Sequence, residues 1–256
     1  MLSIKKSVAF ITGGGRGFGY ATAERFLNFG AYVTVLDLLE CSPSDPVLNH
    51  PNCYYVQGDI RNKEEVQSTI NSTLERWGCL DVNINCAATG FAMKIFNISK
   101  ATPHPPENFI RSLENNTLAT LNVITQSAHA MANSSRDEKK PACILLTTSM
   151  AAFEGSSGQS AFSAAKGALS AAILPLARDL SYCGIRVNGI APGLFKTPTT
   201  LNSSKPFLKF LKFIVPQPKR LGELEEFAHL AHTICENSYI NATNIRIDGA
   251  LRSIPY

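Results

Sequence analysis

The run Val8-Ala-Phe-Ile-Thr-Gly-Gly-Gly-Arg-Gly-Phe-Gly19 joins a short β-prone segment to a glycine-rich turn, and beyond it an apolar pattern of helical spacing continues through Phe26. A strand, a glycine turn and a helix in that order form a dinucleotide-binding corner. Gly13 permits the tight turn, Gly17 lets backbone approach a pyrophosphate, and Gly19 allows close helix packing, while the helix N-terminus offers free N–H groups to phosphate. A glycine turn alone is weak support. Asp37, closing the next strand about 20 residues on, strengthens it, because a carboxylate there accepts both ribose hydroxyls and repels a 2′-phosphate. Asp37 favours NAD, whereas Arg16 inside the turn is a cation able to welcome the extra phosphate of NADP. Asp59, in Gly58-Asp59-Ile60, has two readings: contact with the adenine amino group, or N-cap of a helix beginning near Lys63.

Outward from this corner, short β-branched runs alternate with longer helical patterns. Strands are expected at Val8–Thr12, Tyr32–Leu36, Tyr54–Gln57, Asp81–Asn85, Ile144–Thr147, Ile185–Ile190 and Ile245–Ile247. Val66, Ile70, Leu74 and Trp77 recur at helical spacing, and 107–131 and 160–182 are each long enough for a packed crossover helix. Strand–helix alternation predicts one doubly wound, Rossmann-type α/β domain spanning residues 1–256, with about seven parallel strands and helices on both faces.

Composition excludes several alternatives. The 256 residues are 45% hydrophobic and 17% charged, enough to bury a full core, and the formal charge of +4 does not by itself imply nucleic-acid binding. No run of 18 or more apolar residues is present, so no membrane span is expected. Cysteines at 41, 53, 79, 86, 143, 183 and 235 include no C-x-x-C pair, which argues against a disulfide framework or a metal site and for a reducing compartment. Sequons at Asn71, Asn97, Asn115, Asn133, Asn202 and Asn241 would matter in a secreted protein, but no signal peptide is expected before the first strand.

The spacing of Thr12-Gly-x-x-x-Gly-x-Gly19, together with the order of elements to Asp248-Gly-Ala250, resembles the short-chain dehydrogenase/reductase family over nearly the whole chain. Within it, Ser149-Met-Ala-Ala-Phe-Glu-Gly155, Leu174-Pro-Leu-Ala-Arg-Asp-Leu180 and Ile190-Ala-Pro-Gly-Leu-Phe195 resemble a branch of mitochondrial NAD enzymes. The resemblance implies oxidation of acyl-CoA or steroid alcohols, a homotetramer, a mitochondrial location and, in animals, service as a non-catalytic subunit among tRNA-processing proteins. It also implies cofactor contacts at Phe18, Ile60, Asn85, Cys86, Phe195 and Thr197.

The family's chemistry uses Asn, Ser, Tyr and Lys. By position, Asn116 matches the residue that anchors a relay water, with an exposed helical Asn as the plain alternative. Ser149 matches the one that hydrogen-bonds the substrate oxygen, although a hydroxyl at a strand end is otherwise a turn or cap residue. Lys166 matches the lysine that binds the nicotinamide ribose and lowers a neighbouring phenol's pKa. At position 162 the family has its catalytic Tyr and this chain has Phe. The missing acid/base role is typically worth roughly 10²–10⁴ in rate. Tyr182 would sit roughly 24 Å from Lys166 along a continuous helix at about 1.5 Å per residue. Ser163 is turned about 100° away around the helix. Ala88 and Ala119 replace family glycines and add methyls near the cofactor.

Residues 196–222 are expected to form a substrate lid. From Ser181 through Gly222 there is no acidic residue, while Arg186, Lys196, Lys205, Lys209, Lys212, Lys219 and Arg220 are cationic. Phe207, Phe210, Leu211 and Ile214 fall on one helical face and Lys205, Lys209 and Lys212 on another. Such a lid suits an acyl chain with an anionic CoA head, or a phosphate backbone, or is a solvated face over core packing. Two functions therefore compete: an NAD-dependent dehydrogenase, and an NAD-binding scaffold without turnover.

Overall fold

The computed structural model describes residues 2–90, 92–135 and 141–253. Its strands are β1 (Val8–Thr12), β2 (Tyr32–Asp37), β3 (Cys53–Gln57), β4 (Val82–Asn85), the hairpin β5 (Phe96–Asn97) and β6 (Thr102–Pro103), β7 (Ala142–Thr147), β8 (Ile185–Pro192) and β9 (Asn244–Ile247). Seven of them form one sheet in the order β3-β2-β1-β4-β7-β8-β9. All its pairings are parallel. Strand order reverses between β1 and β4, so the crevice beyond their carboxyl ends is where a doubly wound sheet binds ligands.

Every residue of β1, β7 and β8 is buried, as a parallel sheet covered on both faces requires. On one face lie α1 (Gly17–Asn28) and α8 (Leu224–Glu236), which bury Ala23, Phe26, Phe227, Ala231 and Ile234. On the other lie α2 (Lys63–Trp77), α4 (Ala119–Asn133) and α5 (Ser160–Asp179), contributing Val66, Ile70, Val123, Leu169 and Ile173. The three-layer expectation holds. α5 is long and apolar enough by composition to cross a membrane, but it carries Lys166, Arg178 and Asp179, and its inner side from Ala161 through Ala165, Leu169 and Ile173 to Ala177 is buried against the rest of the chain.

Three local expectations change. The segment 107–131 is not one α-helix: α3 (Pro106–Leu113) passes through a π turn at Glu114–Leu118 before α4 begins. The N-cap of α2 is Asn62, whose side chain accepts from the N–H groups of Glu64 (3.0 Å) and Glu65 (3.3 Å), so Asp59 is not the cap. α5 ends at Asp179, and Tyr182, 98% exposed, lies on a separate 3₁₀ turn.

Ile144 is fully buried in β7, in the core between the sheet and the helices α2, α4 and α5. Ile144→Ala is expected to lower unfolding free energy by about 2–5 kcal/mol, read from urea titration.

Candidate active site

The glycine turn is shaped by backbone contact. A β-carbon on Gly13 (φ +68°) would stand 2.5 Å from Ala87 N, and one on Gly19 would stand 2.2 Å from Gly13 O. The close packing expected at Gly19 is therefore against the turn's own carbonyl. Gly17 (φ +62°) instead meets nothing within 4 Å. Arg16 makes no side-chain cap bond, and the first turn of α1 has no acidic residue. The result is an open helix N-terminus able to hold a phosphate. Arg16 is exposed, and the Phe18 ring is committed to Phe195 (centroids 5.0 Å) and Phe227 (4.3 Å), leaving its backbone N–H at that helix end.

Asp37 ends β2 beside this turn. Its Oδ2 accepts from Gly15 N–H (2.8 Å) and Oδ1 from Leu39 N–H (2.9 Å), an arrangement that fixes the carboxylate at the strand's end. Asp59 is ion-paired with Arg61 (Nε donates to Oδ2, 2.8 Å), and those hydrogen bonds hold its carboxyl below the usual range. The Ile60 carbonyl accepts from Asn122 Nδ2 (2.9 Å). At the end of β4, Asn85 Nδ2 donates to Asn83 Oδ1 (2.7 Å), but its buried Oδ1 has no partner among the described residues. Cys86 Sγ accepts from Thr147 Oγ1 (3.4 Å), and burial pushes that thiol up to about 11.

Asn116 lies in the π turn and is completely buried, which removes the exposed-Asn alternative. Its Oδ1 accepts from Thr89 N–H (2.9 Å), and Nδ2 donates to Thr89 O (3.1 Å) and Ser112 O (2.9 Å). One bond of the amide group thus clamps the segment after β4, and the other holds the last turn of α3. Thr117 Oγ1 donates to Ala165 O (3.0 Å), tying the π turn to α5 one residue before Lys166. Ser149 caps a short 3₁₀ turn, its Oγ accepting from Ala151 N–H (3.1 Å), so the turn-residue reading is realised while its hydroxyl proton is left to donate elsewhere.

On α5, Phe162 and Lys166 stand one turn apart. Lys166 is 2% exposed, its Nζ donating to Thr147 O (2.8 Å) and lying 5.8 Å from the Phe162 ring centroid. Desolvation lowers its pKa to about 8, opposed by nearby Cys86. Phe162 offers no acceptor. Ser163 Oγ is buried without a partner among the described residues and borders a cavity of about 510 Å³ between the β5–β6 hairpin and residues 155–160. Ala88 is exposed and Ala119 buried at the start of α4.

Phe195 is buried against Gly222, where a β-carbon would reach within 2.6 Å of the ring. Thr197 caps the short helix α6 (Pro198–Leu201), accepting from Thr200 N–H (3.2 Å). The free positive charge expected from Ser181 through Gly222 is corrected. Arg186 is buried and donates to the carbonyls of Ile234, Cys235 and Ile240, Lys196 pairs with Glu223, and Arg220 pairs with Glu226, holding that carboxyl down to about 2. Lys205, Lys209, Lys212 and Lys219 make no ion pair among the described residues. On α7 (Lys205–Phe213) only Leu211 is buried, so Phe207 and Phe210 are not an inner face packed on the body.

Residues outside the sequence reading also shape the site. Thr147 supplies the carbonyl for Lys166 and the hydroxyl for Cys86, and Thr89 is the partner of Asn116; no local pattern marks either. Glu154 binds Arg246 and Arg252, and Arg246 Nε donates to Asp248 Oδ2 (2.6 Å), anchoring the segment after Ser149 to the C-terminal strand.

Residues 7–206 match the family model for short chain dehydrogenase. The chain is 42% identical over 255 residues to 3-hydroxyacyl-CoA dehydrogenase type-2 of Drosophila melanogaster, covering 98% of this chain and 100% of that protein. It is 41% identical to the Homo sapiens protein of the same name, covering 99% and 98%. The crystal structure of 3-hydroxyacyl-CoA dehydrogenase type-2 from Mycobacterium avium superposes with a TM-score of 0.91 at 30% identity, covering 100% of both chains.

Lys166 carries a testable signature. Its folded pKa of about 8 lies below the unfolded value of about 10.4, so the unfolded chain binds more protons between those pH values and stability rises with pH across that window. Lys166→Met removes this slope. The variant's stability relative to the wild type is expected to fall by on the order of 3 kcal/mol from pH 7.5 to 10.5, measured by paired denaturant titrations of the ligand-free protein.

Proposed function

Since the chain belongs to the short-chain dehydrogenase/reductase family, we propose that it is an NAD(H)-binding oxidoreductase directed to 3-hydroxyacyl-CoA or hydroxysteroid alcohols, with turnover crippled at Phe162. The open N-terminus of α1, the free space at Gly17, the carboxylate of Asp37 and the orphaned Oδ1 of Asn85 fit a dinucleotide lying along the carboxyl edge of the sheet. When bound, the nicotinamide supplies the hydride acceptor.

The chain's own residues do the rest. Gly13, Gly17, Gly19 and the N–H groups at the start of α1 hold the pyrophosphate, and Asp37 holds the ribose of the adenosine half. Asn85, Cys86, Phe195 and Thr197 would hold the nicotinamide end, and Asp59 and Ile60 the adenine. Ser149 keeps its hydroxyl proton for the substrate oxygen. Lys166 would hold the nicotinamide ribose through its ammonium, and its pKa near 8 makes it the group of this cluster best matched to neutral pH. What is absent is a proton acceptor between Ser149 and Lys166. A homotetramer and a mitochondrial location, both implied by the resemblance, belong to the same proposal.

Phe162 also favours a second reading, in which the chain is an NAD-binding scaffold for RNA-processing partner proteins and needs no turnover. Loss of one oxygen with the rest of the set in place is the pattern expected once selection acts on binding alone.

Tighter binding of NAD(H) than NADP(H) is expected in calorimetry, because the Asp37 carboxylate at the end of β2 would repel a 2′-phosphate; equal affinities would show that Arg16 overrides it. Oxidation of 3-hydroxyacyl-CoA is expected to be very slow in the wild type and to rise roughly 10²-fold or more in Phe162→Tyr, since Lys166 lies one turn away to activate the phenol. Ordinary dehydrogenase rates in the wild type would overturn the crippled-enzyme reading. No change in Phe162→Tyr would favour the scaffold.

A further inference from the structure

Two exposed segments leave from the carboxyl edge of the sheet: the β5–β6 hairpin after β4, and α7 after β8. Both combine large apolar side chains with lysines and contain no acid. No Asp or Glu occurs from Thr89 through Pro106, or from Ser181 through Gly222. Ile98 is 82% exposed, Phe213 76% and Ile95 66%, and Phe96, Leu201, Phe207 and Phe210 are each about half exposed. Lys94, Lys100, Lys205, Lys209, Lys212 and Lys219 are exposed and make no ion pair among the described residues.

On α7, buried Leu211, followed by buried Val215 just past the helix, fixes the inner side. Lys205, Lys209, Lys212 and Phe213 are all exposed, and Phe213 is the helical neighbour of Lys209 at i,i+4. An aromatic ring set among cations is not the pattern of a solvated lysine face. Single exposed apolar residues are ordinary, but seven at one edge of a chain are not.

We propose that this rim, the β5–β6 hairpin together with α6 and α7, docks on an anionic lipid bilayer and presents the mouth of the cleft to the membrane. Interfacial segments combine lysines that meet anionic headgroups with Phe, Leu or Ile that enter the acyl boundary, and both halves are present here. Other occupants fit less well. Single-stranded nucleic acid uses lysines and aromatic platforms but has no use for Ile95, Ile98 and Leu201. A second copy meeting the same patch would set six lysines against six.

The test is co-sedimentation of the full chain with vesicles of phosphatidylcholine, with and without phosphatidylglycerol, at low and high salt. Pelleting is expected only with phosphatidylglycerol, falling as salt screens the lysines. The Lys209→Glu/Lys212→Glu pair is expected to lower partitioning about tenfold or more. Ile98→Ser/Phe213→Ser, which leaves charge unchanged, is expected to lower it to a similar degree. All four positions are exposed, and unchanged thermal midpoints would verify folding; the wild type's lipid and salt dependence tests the proposal without any variant. Absence of pelleting, equal pelleting on phosphatidylcholine alone, or indifference to either pair overturns it. Binding of single-stranded RNA without vesicle binding would assign the lysines to nucleic acid. Self-association lost in Ile98→Ser/Phe213→Ser, without pelleting, would assign the rim to a second copy.

Discussion

At Gly13 the turn after β1 runs so close to the backbone at Cys86–Ala87 that no β-carbon fits between them, and at Gly19 the first turn of α1 lies equally close to the carbonyl of Gly13. These two approaches set the angle at which α1 leaves the sheet. They place its uncapped N-terminus over the crevice where strand order reverses, and they bring the segment after β4 into the same crevice. Phe18, on the first turn of that helix, then meets Phe195 and Phe227, so one ring joins the corner to the root of the lid and to α8. The Cβ-free corner thus orders three parts of the cleft that are remote in sequence.

The other half of the cleft is built around a buried ammonium. Lys166 has left water almost entirely and holds one carbonyl, Thr147 O, in exchange. Burying a charge at the end of the sheet disfavours it, and the lowered pKa expresses that cost. The surroundings are organised to keep it there: Thr117 ties the π turn to the carbonyl of Ala165, and Asn116 spends its side chain holding Thr89. The π turn is what lets a helix in transit across the sheet turn Asn116 wholly inward. Phe162 lies one turn before Lys166 on α5, with its ring centroid 5.8 Å from the ammonium, and it brings no group that donates or accepts a proton.

Charge on the surface sorts by partner. Arg186, Lys196 and Arg220 belong to the body: the first is buried among carbonyls, and the others brace the start of α8 against the lid. The Glu223–Glu226 capping box of α8 sits in the same group of ion pairs, so the end of the lid and the helix after it are braced together. The lysines beyond them are left to solvent or to a partner, and they share the rim with exposed Phe and Ile.

Much of this was legible in the chain. Glycine spacing after a strand, the carboxylate at Asp37, the alternation of strand and helix, and the Phe at position 162 are all local, and each follows from what one residue type permits in a few φ/ψ values or one functional group. The structure alone decided which of several competing neighbours, some adjacent and some distant in sequence, each group meets. Asp59 pairs with Arg61 while Asn62 caps α2; the run after Glu107 breaks into a π turn; Thr89 and Thr147 become partners of Asn116 and Lys166 with no mark of their own; and three of the seven cations between Ser181 and Gly222 are already paired or buried. Side-chain partners are set by packing across the sheet, between segments tens of residues apart, and a linear pattern carries the identity of a charge without the distance to whatever neutralises it.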